Sequence, residues 1–434
     1  MPNRVTLDQE FPDISASQAL WNRAATLIPA GTQTLAKGPS QYVDGVAPKY
    51  LARGKGARVW DVDGNAFIDL TMAVGPVVLG YGHPSVDRAI VEQLERGITF
   101  SLMHPLEVEV AELVRRVVPG ADSVRFSKTG CDVTSAAVRL ARAYTGRSKV
   151  LCCGYHGWHD WYIGTSPRKA GVPTPTRELT EVFPYNDLFS LLEALDEQVA
   201  CVILEPMIFE PPDPDYLRVL KRACEAAGAL LVFDEMWTGF RVALGGAQQR
   251  FDVMADLACF SKAVANGMPL SVLTGRADVM RLLEEDVFFF TTFGGEALSL
   301  AAAKATIEDL RELEVPVRLD LAGRQLQEGY NRLAAKKGLP TKASGLPCRT
   351  LVSFDASAGE PLLQKSLVQQ ELIRHGVLWT GFHNLCLAHQ DAEIDHVLAA
   401  YDRALDALSS ALAKGKLAES LRGKPVQPVF RKTL

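Results

Sequence analysis

Three apolar runs in the middle of the chain each end on a side chain that can hold or move a proton. Residues 200–204 lead into Glu205-Pro206, residues 229–233 into Asp234-Glu235, and residues 257–260 into Ser261-Lys262. A carboxylate or ammonium closing an apolar strand is costly to bury unless it is paired. One such residue is ordinarily a satisfied structural group. Three at successive strand ends mark one edge of a sheet as chemically active. Two more strand ends carry features of their own. Residues 123–126 are followed by Ser127-Lys128-Thr129-Gly130-Cys131-Asp132 and an amphipathic run over 133–144. Thr129 and Asp132 have the spacing of a capping box, and the N–H groups of such a helix start suit an anion. Residues 149–153 are followed by Gly154-Tyr155-His156-Gly157-Trp158-His159-Asp160-Trp161, aromatics between glycines that can stack on a planar ring or on one another.

A lysine for a Schiff base, an acid to keep a pyridine nitrogen protonated and a phosphate-holding turn are the requirements of pyridoxal 5′-phosphate (PLP). The strand ends carrying Glu205, Asp234 and Lys262, with the helix start at Thr129, together suggest that cofactor. The remaining candidates point elsewhere. His156 and His159 form one H-x-x-H, too few ligands for a metal site, and no metal is expected. The eight cysteines are scattered without a C-x-x-C pair, which predicts free thiols.

Ligands of open α/β sheets bind beyond the carboxyl ends of strands, so these residues require a sheet to align them. The runs 123–126, 149–153, 200–204, 229–233, 257–260 and 271–274 are short and continuously apolar, as strands buried on both faces are. Helical patterns over 188–195 and 215–227 lie between them. This alternation predicts a large α/β domain over 65–315 with a mostly parallel sheet. Helices are expected at 296–313, 319–335, 363–375 and 391–413, with strands at 350–354 and 385–388, giving a small C-terminal α+β domain over 316–434. The N-terminal segment, 1–64, is assigned to that small domain. It holds a helix at 15–27, a loop at 29–39 and a hairpin over 56–70 around Asp63-Gly64.

Composition sets outer bounds on the 434-residue chain. Hydrophobic residues are 47% and charged residues 22%, ordinary for a globular protein. Lys+Arg 46 against Asp+Glu 51 gives a net charge of −5, so no nucleic-acid partner is expected. No apolar run approaches 18 residues and the N-terminus has no apolar signal core, which predicts no membrane and a cytoplasmic location.

The ordered motifs resemble the class-III aminotransferases of PLP fold type I, most of all the glutamate-1-semialdehyde 2,1-aminomutase branch. They are Leu27-Ile28-Pro29-Ala30-Gly31, residues 54–63, residues 80–84, Arg139-Leu140-Ala141-Arg142-Ala143-Tyr144-Thr145-Gly146, Tyr155-His156-Gly157, Glu205-Pro206, Phe233-Asp234-Glu235, Lys262 with Ala265-Asn266-Gly267-Met268-Pro269, and Thr292-Phe293-Gly294-Gly295. The resemblance spans about residues 20–408. It implies that Lys262 is the Schiff-base lysine and Asp234 the partner of the pyridine nitrogen. Tyr155 would stack on the cofactor ring, and Thr129, Gly130 and Cys131 would form the phosphate turn. Glu205 would stand behind these residues, and His156 would support the turn at the tyrosine. Thr292 would reach the phosphate of a neighbouring copy, which implies a homodimer with shared sites.

Departures from the aminomutases cluster on the presumed substrate side. Lys37 stands where they carry an arginine, and lysine lacks the bidentate fork. Val74 replaces a tryptophan, Gly381-Phe382-His383-Asn384 replaces Glu-Ala-Gly-Phe, and Glu296-Ala297 replaces Asn-Pro. Glu210 replaces an asparagine, and Trp237 a methionine or glutamine beside the cofactor. Cys131 lacks the hydroxyl of the usual Ser-Gly-Thr turn. The expectation is therefore an aminotransferase that passes an amino group from an amino-acid donor to a ketone or aldehyde acceptor through the pyridoxamine form of the cofactor. The alternative is an aminomutase. Trp158, Trp161, Trp237 and Phe382 would suit a sugar-like or cyclic acceptor.

Overall fold

A computed structural model of the chain describes residues 10–428. The first nine residues, on which the reading of the N-terminus partly rests, lie outside the described residues. Two compact units divide the chain after His83 and after Pro316, so that residues on both sides of the central Pro84–Pro316 unit fold together.

Pro84–Pro316 is built on a seven-stranded sheet. Its order is Ser123–Ser127, Ser271–Gly275, Leu257–Phe260, Leu230–Asp234, Val199–Leu204, Lys149–Cys153 and Thr180–Val182. Ser271–Gly275 runs antiparallel to both its neighbours, and every other pairing is parallel. The apolar runs are continuous because both faces of the sheet are covered. Alternate residues of a strand point to opposite faces. Cys201 and Ile203 pack with Val133, Ala137 and Leu140 of the Gly130–Thr145 helix. Val202 and Leu204 pack with Leu217, Leu220 and Cys224 of the Tyr216–Ala227 helix. Each fully buried Val or Leu contributes about 1.5–3 kcal/mol, so these two layers dominate the unit's stability. Seven of the eight cysteines are buried free thiols, and Cys131 is half-buried. Burial pushes the Cys201 thiol up to about 12, which leaves it a small hydrophobe.

The other unit holds the expected helix Ser15–Leu27 and the hairpin of Arg58–Asp61 with Ala66–Asp69. Leu51–Lys55 adds to the hairpin on one side and Val377–Leu378, in parallel, on the other. A second sheet joins Thr341–Leu346, Arg349–Phe354 and Phe382–Asn384. That last strand corrects the expectation at 385–388, which is loop. Phe382, His383 and Asn384 take the register opposite Leu351, Thr350 and Arg349, while Leu385 and Cys386 are simply buried. Among the described residues, no helix is long and apolar enough to cross a membrane.

Candidate active site

The six co-directional strands deliver their carboxyl ends to one edge of the sheet. Leu230–Asp234 lies between Val199–Leu204 and Leu257–Phe260, so Glu205, Asp234 and Ser261-Lys262 follow three neighbouring strands. The three residues expected to act together are thus delivered to one edge by adjacent backbone.

Asp234 is buried, 1% exposed. Its Oδ2 lies 2.8 Å from His156 Nδ1, and its Oδ1 accepts the Met236 N–H at 3.0 Å. A carboxylate has about four acceptor positions, so capacity remains for a further N–H donor such as a protonated ring nitrogen. His156 Nε2 is buried without a hydrogen-bond partner, so the network places the ring proton on Nδ1, where it is given to Asp234. The imidazole is fixed by a stacked Trp161 at 6.0 Å and the edge of Tyr162 at 5.2 Å. Sequence reasoning gave His156 only the support of a turn. Its contact with Asp234 was missed, and the one signal for it was its place beside Tyr155, after a strand that ends on the same edge of the sheet.

Glu205, 4% exposed, accepts the Tyr155 N–H on Oε1 at 2.7 Å. The glycine before the tyrosine makes this possible. Gly154 has φ +106, and a Cβ there would fall 2.8 Å from both Cγ and Oε1 of Glu205. Tyr155 is left 40% exposed with its ring against the edge of Tyr162. Next to Asp234, Glu235 is fully buried and accepts the Ala247 and Gln248 N–H groups at 2.8 and 3.0 Å. Burial lifts its carboxyl to about 7. Bonds from Ala247, Thr238 and Gln248 oppose the rise, and the Asp234 charge adds to it.

Lys262 opens a short 3-10 turn, Lys262–Ala265, with φ +44. A non-glycine residue in this region costs about 1–3 kcal/mol, and such strain persists where the surroundings enforce it. Here Ala263, Val264 and Ala265 are buried and Ser261 Oγ donates to the Leu270 carbonyl at 2.7 Å.

Thr129 caps the Gly130–Thr145 helix. Asp132 Oδ2 accepts from the Thr129 N–H at 2.8 Å, the Lys128 N–H at 3.2 Å and Ser127 Oγ at 2.8 Å. Burial works against ionisation of Asp132, but the bonds from Thr129, Ser127 and Lys128 outweigh it and hold the carboxyl below its usual range. A Cβ at Gly130 would fall 2.7 Å from Met236 Sδ, so this turn stays bare of side chain. The first N–H groups of a helix have no intrahelical acceptor. A bare, donor-rich turn, a buried carboxylate with spare acceptor capacity and a lysine held in a strained turn fit PLP.

Thr292 is exposed, and Gly294 of the same motif packs against the Phe126 carbonyl at the end of the first sheet strand. Glu210 is exposed in the loop after Pro206. Trp237 is buried and its Nε1 donates to the Met207 carbonyl at 3.0 Å, so the polar edge of the indole is spent on that loop. Trp161 likewise gives its Nε1 hydrogen to Ser135 Oγ at 2.9 Å. Lys37, Val74 and Gly381 belong to the other unit, where Lys37 is exposed. Met72, Ala73 and Val74 have φ of 45, 54 and 70, a left-handed turn that Asp69 braces by accepting the Thr71 N–H at 2.7 Å.

The class-III aminotransferase family model matches residues 42–405. The chain belongs to that family. A 3-aminobutyryl-CoA aminotransferase from Cloacimonas acidaminovorans (strain Evry) is 34% identical over 407 residues, covering 90% of this chain and 97% of that one. The FumI protein of Sphingopyxis sp. MTA144, solved as its PLP internal aldimine, superposes with a TM-score of 0.87 at 30% identity over 96% of this chain and 99% of that one. A glutamate-1-semialdehyde aminomutase from Pseudomonas aeruginosa PAO1 gives 0.80 at 23% identity over 93% and 94%, a likeness of fold alone. This class-III aminotransferase is a fold type I α/β protein with PLP as its cofactor.

Proposed function

We propose that this aminotransferase takes an amino group from an amino-acid donor and delivers it to a separate ketone or aldehyde acceptor, with Lys262 and Asp234 as catalytic residues. The observation that carries the reading is the delivery of Glu205, Asp234 and Lys262 by three neighbouring strands, with Asp234 buried and tied to His156. When bound, PLP supplies an electron sink for the pair left behind as a carbon next to nitrogen loses its proton. The chain's own groups do the rest. Asp234 holds the proton at the ring nitrogen through a charge-assisted bond. His156 holds Asp234 in register. Lys262 would hold the cofactor through its Nζ, and that nitrogen, when free and deprotonated, would take the proton from the substrate carbon. Glu205 fixes the Tyr155 backbone so that the phenol ring can cover the cofactor face. Thr129, Gly130 and Cys131 hold the phosphate.

The aminomutase alternative fits the chain less well. Lys37, Val74, Glu210 and Gly381 replace the residues of the mutase substrate side, and the 34% relative is named an aminotransferase. The sugar-like or cyclic acceptor rested on four aromatics, of which Trp161 and Trp237 are spent on internal bonds. A relative named for 3-aminobutyryl-CoA supports instead an amino group carried β to an acyl carbon. The sites are shared in a homodimer on this reading. The exposed Thr292 lies near exposed Phe290 and Phe293 in sequence, and Leu102 and Met103 of the same unit are about four-fifths exposed, apolar side chains that a second copy would cover on this reading. Incubation with glutamate or alanine, followed for the matching keto acid, tests the proposal.

A further inference from the structure

The loop Gly157-Trp158-His159 lies directly on the first turn of the Gly130–Thr145 helix. A Cβ at Gly157, where φ is +103, would fall 2.5 Å from Cys131 Cβ, so a glycine is required for this approach. His159 is laid along the face that carries Cys131 and Ser135, one helical turn apart. Its Nδ1 is 2.7 Å from Ser135 Oγ. A ring nitrogen of His159, Cys131 Sγ and an Asp132 carboxylate oxygen lie within 4.8 Å of one another.

The hydrogen-bond partners assign the tautomer. Trp161 Nε1, a donor only, gives its hydrogen to Ser135 Oγ at 2.9 Å. The hydroxyl hydrogen of Ser135 is then available to His159 Nδ1, which places the imidazole proton on Nε2. That second nitrogen has no hydrogen-bond partner among the described residues. A cation does not suit this corner: Asp132 Oδ2 already accepts from three donors, and an Nε2–H cannot ligate. An anion at the positive end of the helix does.

We propose that His159 donates its Nε2–H to the cofactor phosphate, standing in for the hydroxyl that is missing at Cys131. The proposal rests on the assignment of Thr129, Gly130 and Cys131 as the phosphate turn. The test is titration of the apoprotein with PLP and, separately, with pyridoxal, which lacks the phosphate, followed by protein fluorescence. His159→Asn keeps a carbonyl acceptor near the Nδ1 position for the Ser135 hydroxyl and removes Nε2; His159→Ala removes both. For either variant the expected result is a ten- to hundredfold weaker affinity for PLP, about the effect of one charge-assisted bond, with pyridoxal unchanged. Adding Cys131→Thr to His159→Asn should recover most of the loss. Unchanged PLP affinity in the folded variants would overturn the proposal, as would an equal loss for PLP and pyridoxal. A wild-type chain that binds PLP no better than pyridoxal would remove the phosphate turn itself, and the proposal with it.

Discussion

His156 Nδ1 lies 2.8 Å from Asp234 Oδ2, and both side chains are essentially out of solvent. Removing the His156 N–H leaves a buried carboxylate short of a hydrogen bond, at a cost of about 1–3 kcal/mol. His156→Ala is therefore expected to lose stability on that scale, and to lose at least tenfold in turnover because Asp234 is no longer aimed. His156→Asn, which can place an amide donor near the Nδ1 position, should recover part of both. Thermal melts and initial rates of the two variants check this, and wild-type rates in the alanine variant would contradict it.

Lys262 and Asp234 separate by their signatures. Lys262→Ala is expected to keep the fold and bind PLP only noncovalently, with no turnover. Borohydride reduction of the native protein, followed by peptide mapping, should find PLP on Lys262 and on no other lysine. Asp234→Ala should cost several orders of magnitude in rate, with Asp234→Glu retaining some activity.

Gly154→Ala puts a methyl group 2.8 Å from Glu205 and forces an L-residue to φ +106. The backbone alone costs about 1–3 kcal/mol, and displacement of Glu205 releases the Tyr155 N–H. Gly171 is a control, with φ +87 and nothing within 4 Å of its Cβ position. Gly154→Ala should lower the melting temperature more than Gly171→Ala and weaken PLP retention; equal effects would show that the Glu205 contact is not needed.

Glu235 gives a pH dependence with a definite sign. Burial raises its folded pKa to about 7 from 4.5. The stability it contributes is full below about 4.5 and is lost as pH rises through about 7, a fall on the order of 3 kcal/mol. Glu235→Gln removes that titration, so the pH 5 to pH 8 change in denaturation midpoint should be smaller than in wild type. An unchanged slope would mean that Glu235 does not titrate there.

The sheet is legible in the sequence because both its faces are covered, which makes Val199–Leu204 and Leu230–Asp234 continuously apolar. Phe382–Asn384 is not, since a buried His383, bonded to Thr350 and Tyr401, breaks the apolar run that follows it. The strand ends locate Glu205, Asp234 and Lys262 from local pattern alone. The pairing of His156 with Asp234 joins residues 78 apart and appears only once both strands stand in one sheet, with Val199–Leu204 between them. Trp237 follows the Asp234 strand as the sequence shows, while the bond of its N–H to the Met207 carbonyl is visible only in the fold.

Thr292 carries the expectation of shared sites. Mixing Lys262→Ala chains with Thr292→Ala chains should build heterodimers with one site that has both residues intact, and so recover part of the activity that each lacks. A protein that light scattering shows to be a monomer under assay conditions, yet which turns over, would contradict this.

The decisive measurement follows the amino group. Holoenzyme incubated with glutamate or alanine should release the matching keto acid in an amount equal to the enzyme, and then pass the amino group to an added carbonyl acceptor with ping-pong kinetics. Glutamate 1-semialdehyde should be turned over poorly or not at all. Efficient isomerisation of that compound with no keto acid released would contradict the aminotransferase reading and establish the aminomutase in its place.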